Sequence, residues 1–98
     1  MLRAADLRSL IPITQREMGS RLSIGQQVVR VIIERQSTAY RAVIIFRDQP
    51  DAYTFALDRG GVRTWVKIDT LVKFMEEQFQ GLDGVELYLR SSPLSESD

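Results

Sequence analysis

The chain has 98 residues, 44% of them hydrophobic and 27% charged, an ordinary balance for one folded domain that can close a core without covalent staples. It contains no cysteine and no histidine, which excludes disulfides, thiolate nucleophiles, Cys/His zinc sites and imidazole general bases. The formal net charge is zero, yet residues 1–67 hold eleven Arg or Lys against six Asp or Glu, while residues 68–98 hold two against seven. A basic surface on the first part would favour encounter with an anionic partner such as DNA; the alternative is that the two parts neutralise each other in the fold.

Residues 2–11 place Leu2, Ala5, Leu7, Leu10 and Ile11 on one helical face, and Pro12 disfavours helical geometry in the residue before it, so a first short helix is predicted. Thr14 and Glu17 form a T-x-x-E capping box that opens a second helix over about 15–22. Beyond Gly25 the run VVRVII is β-branched at five of six positions, which favours a strand. Residues 36–39 then turn the chain into YRAVIIF (40–46) as a hairpin, and 47–51 form a loop. AYTFALD (52–58) alternates Tyr53, Phe55 and Leu57 on one face, and Arg59-Gly60-Gly61 supplies a tight turn into a strand over 62–68. Asp69 is expected to cap a helix carrying Leu71, Val72, Phe74, Met75 and Phe79, which ends before Gly81. Asp83-Gly84 turns into a last strand over 85–90, and SSPLSESD is expected to fray. The sequence thus predicts a single α+β domain over 1–90 with a flexible tail over 91–98. Two N-terminal helices, a mostly antiparallel sheet of about five strands and one C-terminal helix packed on the sheet make up that domain. No apolar run suits a signal peptide or the roughly 20 residues of a membrane span, so a cytoplasmic protein with no membrane partner is expected.

A second reading of residues 14–33 is a helix-turn-helix. Gly19 falls where two helices cross closely, Leu22 and Ile24 flank the turn, and Gln26, Gln27 and Arg30 would face the major groove, where Gln suits adenine and Arg suits guanine. Against it, Ser23 occupies the position that favours glycine, and the recognition helix would expose Val28 and Val31. In the strand reading, Arg30, Arg41, Arg47, Arg63, Trp65 and Lys67 share the sheet face opposite the last helix. An aromatic between cations can stack on a base while its neighbours hold phosphates. The competing reading of those residues is a covered sheet face, with Trp65 a dimer or edge contact and the arginines a solvated rim.

Catalysis is not expected. No pair of carboxylates is tied to one pocket by spacing, Gly60-Gly61 lacks the pattern of a phosphate loop, and Lys73 with Glu77 suits an exposed helix pair. No metal site or cofactor is expected either.

Gly60, Gly61, Arg63, Trp65, Lys67 and Asp69 lie within AYTFALDRGGVRTWVKIDTLVKFMEEQF, and over about residues 40–90 the chain resembles the ParC-type partition-associated proteins of plasmids and integrative conjugative elements. The resemblance implies a small non-enzymatic accessory protein of a mobile element, acting with DNA or with other partition or regulatory proteins; it brings no functional residues. Two functions therefore stand as expectations. One is a DNA-associated regulatory or partition accessory protein contacting phosphates through Arg30, Arg41, Arg47, Arg63 and Lys67, with Gln26 and Gln27 as base readers. The other is a protein-interaction module that forms a homodimer through exposed sheet and offers its acidic C-terminal part to a partner.

Overall fold

The computed structural model describes residues 10–90 and Ser92. Its five strands are β1 (Leu10–Thr14), β2 (Val28–Gln36), β3 (Ala39–Phe46), β4 (Ala52–Ala56) and β5 (Glu86–Tyr88), with helix α1 (Gln15–Ser23) after β1 and helix α2 (Ile68–Gln78) between β4 and β5. The strands form one mixed sheet in the order β1-β4-β3-β2-β5. β2–β3 and β3–β4 are antiparallel; β1–β4 and β2–β5 are parallel. Two β-α-β crossovers are thus interleaved: α1 carries the chain from one edge of the sheet to β2, and α2 carries it from β4 to the other edge.

The pleat divides the side chains cleanly. Val31, Ile33, Ala42, Ile44, Phe46, Tyr53, Phe55 and Ile13 are buried on one face with Met18 of α1, Leu71 and Met75 of α2 and Phe79 at its C-terminal cap, so both helices cover that face. Arg21 of α1 lies over the Tyr53 ring at 4.6 Å, covering the edge of the core with its guanidinium plane. On the second face Ile32, Val43, Thr54 and Glu34 are buried as well, and the Thr54 hydroxyl is satisfied by donating to the Ala42 carbonyl.

The α+β class is present, but its predicted composition is corrected. Among the described residues only one of the two N-terminal helices is present. Leu10 and Ile11, assigned to the first, are in strand β1, where Ile13 packs beside Phe55 and Pro12 is tolerated because β1 is an edge strand. The remainder of that predicted helix lies outside the described residues. The helix expected at Thr14 forms as α1, with both halves of the capping box: the Glu17 N–H donates to Thr14 Oγ1 at 3.1 Å, and the Thr14 N–H donates to Glu17 Oε1 at 2.8 Å. The sheet is mixed rather than mostly antiparallel. The helix placed last packs on the sheet, but as a crossover between two strands rather than as a C-terminal element. Asp69 does not cap it: Lys67 is the N-cap residue, no side chain caps the helix, and Asp69 sits in the first turn, where a carboxylate favours the positive helix end.

Residues 24–33 are not a recognition helix. Gly25, at φ +95, turns the chain out of α1, and β2 runs on from Val28. The β2–β3 hairpin closes through Ser37-Thr38, as the sequence suggests. The strand expected over 62–68 does not form either. The Gly60-Gly61 turn closes with the Leu57 N–H donating to the Gly61 carbonyl, and Arg63 N–H bonds the Phe55 carbonyl, but the segment then crosses to Tyr40, with which Trp65 exchanges two backbone bonds at 2.7 and 2.8 Å. It fills the gap where β3 and β4 diverge. A full fourth-strand partner has no room, because β1 occupies one side of β4 and β3 the other.

Candidate interaction surface

The side chains proposed to share one cationic face are distributed over three places. Arg30 and Arg41 stand on the second face of the sheet, and each is paired with a carboxylate. Arg30 Nη2 donates to Glu86 Oε1 at 2.8 Å and its Nε to Glu86 Oε2; the pairing raises the arginine's pKa and holds the Glu86 carboxyl below its usual range. Arg41 Nε donates to Glu34 Oε1 at 2.8 Å, and the Glu34 side chain is fully buried with Arg41 only 15% exposed. Arg47 lies at the end of β3, where its Nε donates to the Gln27 side-chain carbonyl at 2.8 Å and its backbone N–H to the Gln27 carbonyl. Gln26, the other proposed base reader, accepts from Arg21 at 3.3 Å. With no recognition helix, neither glutamine is presented for a groove; both line a cleft of about 650 Å³ with Leu22, Val28, Arg47 and Phe79.

Arg63, Trp65 and Lys67 belong to the helix layer instead. The Arg63 guanidinium is 4.7 Å from the Trp65 ring and 4.6 Å from that of Phe74, and it donates to Gln15 Oε1 at 3.3 Å. Trp65 is only 7% exposed, its ring tilted against Phe74 at 5.3 Å and edge-on to Phe55. A ring so enclosed cannot offer a face to a base, which removes the stacking role assigned to it. Lys67 is exposed at the start of α2. No group of three Asp or Glu that could hold a metal ion occurs among the described residues, and no helix there is long and apolar enough to cross a membrane.

One surface not yet accounted for is the edge of the sheet at β5. Its three residues pair with Ile32–Glu34 of β2 on one side, and no described strand pairs with the other. Leu87 and Leu89 are 47% and 68% exposed there. The opposite edge, β1, is blunted: Pro12 has no N–H to give, and the N–H of Thr14 is taken by Glu17 in the capping box. The two edges of this sheet are therefore unequal as templates for a further strand.

The chain leaves β5 through a bend at Leu89 and Arg90 and returns over the second face. Ser92 is buried, and its N–H donates to Glu34 Oε2 at 2.8 Å, with its hydroxyl donating to the same oxygen. Ser92 falls in the stretch expected to fray, yet is held; the rest of that stretch lies outside the described residues. Neither Glu34 nor the β5 leucines were among the residues singled out from sequence. The alternation of Val85, Leu87 and Leu89 was the available signal for the leucines, whereas Glu34 becomes visible only once β2 and β3 are in register.

No family model, no curated protein and no solved structure matches the chain. The resemblance carried by Gly60, Gly61, Arg63, Trp65, Lys67 and Asp69 accordingly has no independent support from these comparisons.

Proposed function

We propose that this chain is a non-enzymatic protein-interaction module that binds its partner along the open edge of β5. The observation that carries the reading is the contrast between the two sheet edges, one short of backbone donors and the other bordered by exposed leucines. Strand addition to such an edge draws affinity from main-chain hydrogen bonds and specificity from alternate side chains. The DNA-associated reading is supported less well, because Arg30 and Arg41 are neutralised within the chain and Trp65 is enclosed. A role as a partition accessory protein of a mobile element is compatible with an interaction module, and it rests on the sequence resemblance.

A photo-crosslinking side chain at Leu89, compared with one at Ile11 on the β1 edge, tests the proposal in the cell. Protein adducts at Leu89 and none at Ile11 are expected. Adducts absent from Leu89, together with DNA binding whose affinity falls steeply with salt, would replace this reading with the nucleic-acid one.

A further inference from the structure

We infer that the partner of the β5 edge is a second copy of this chain, with β5 pairing antiparallel to β5 about a two-fold axis through Leu87. The inference rests on the reading of β5 as the binding edge and adds the identity and register of the occupant. Three observations select it.

The first is symmetry. A two-fold axis normal to the sheet makes the two β5 strands antiparallel and keeps both helix layers on the same side. Directly opposed residues point to the same face, so the axis must pass through a residue rather than between two. The second is the chain's exit. The bend at Leu89 and Arg90 and the two bonds from Ser92 to Glu34 draw the chain out of the sheet plane. The stretch held in the sheet at this edge is therefore β5 itself, Glu86–Tyr88, and its centre is Leu87.

The third is chemical self-complementarity. About this axis Leu87 stands opposite itself, and Val85 and the second copy's Leu89 flank that pair. Leu87 is in register with Ile33, so this apolar contact extends the helix-covered face, and the exposed leucines meet apolar surface. On the second face Glu86 stands opposite the second copy's Tyr88, whose hydroxyl can donate to a carboxylate. In a parallel arrangement each Glu86 would instead face its own copy, a like-charge contact. The continuous product is a ten-stranded sheet with β1 at both ends, each end being the blunted edge.

The absence of native cysteine makes the register directly testable. Opposed residues in an antiparallel pair have Cα atoms about 4.5–5.5 Å apart, inside the range of roughly 4.4–6.8 Å that a disulfide spans. Leu87→Cys, at an exposed position, is expected to give a covalent dimer on mild oxidation. Leu89→Cys alone is expected to stay uncrosslinked, since its own copy lies about four residues, roughly 13 Å, along the strand. An equal mixture of Val85→Cys and Leu89→Cys chains is expected to link across the interface. In the cysteine-free chain, Leu87→Glu should weaken self-association measured by sedimentation about tenfold, because it sets two like charges opposite each other at the axis.

A wild-type chain that sediments as a monomer at every concentration, with no link in Leu87→Cys, overturns self-pairing. So does a link in Leu89→Cys in place of Leu87→Cys. Adducts at Leu89 to a different protein with no Leu87 link overturn self-pairing but leave the interaction-module reading standing. Failure of adducts of any mass at Leu89 defeats both.

Discussion

Phe55→Ala is expected to cost about 3–5 kcal/mol of folding stability, the range for removing a large aromatic from a core that cannot collapse around the gap. Phe55 is fully buried, and its ring meets Trp65 and Phe74 edge-on at 6.3 and 5.2 Å and lies 6.2 Å from Phe79. It therefore joins three parts of the chain with no local reason to meet: strand β4, the segment that bridges to Tyr40, and helix α2. Domains of this size have only about 5–15 kcal/mol in hand, so the urea midpoint should fall by about a fifth or more, with loss of the near-ultraviolet signal of Trp65. A change under about 1 kcal/mol would mean that Phe55 does not hold these elements together.

Glu34→Ala is the second large effect, about 3–5 kcal/mol, the usual cost of breaking a buried ionic contact by deleting one partner. The carboxylate accepts from Arg41 through one oxygen and from the Ser92 N–H and hydroxyl through the other. Its removal strands those donors in a covered site and releases Ser92 from the sheet. Glu86→Ala supplies the comparison, since its pairing with Arg30 is similar in form but about 40% exposed on both sides. Solvent screens such a pair, and its deletion should cost no more than about 1 kcal/mol. Equal effects of the two substitutions in urea denaturation would show that burial does not set the value of these pairs.

Local signals were reliable where the local chain decides the outcome. The Thr14 and Glu17 box, the β-branched run of β2 and the helical spacing of Leu71, Met75 and Phe79 all specify the elements they occupy. The sequence was misleading where distant strands compete for the same place. Leu10 and Ile11 fit a helical stripe, but Ile13 beside Phe55 pays for a strand there instead. Residues 62–68 alternate like a strand, yet both sides of β4 are already occupied, so the segment crosses the gap and buries Trp65. The cationic face failed for the same reason. Register, which no local pattern in residues 30–67 prescribes, puts Arg41 opposite Glu34, and the parallel placement of β5 brings Glu86 to Arg30. Charges that looked available along the chain are consumed across the sheet. The β5 leucines were legible as an alternation, but their exposure depends on β5 lying at an edge.

Amide hydrogen exchange measured as a function of protein concentration tests the central claim, that two copies of this chain pair along the β5 edge, most directly. Protection of residues 85–89 should rise with concentration while that of Leu10–Thr14 stays constant. Protection that is independent of concentration in 85–89, or that grows along β1, would contradict it.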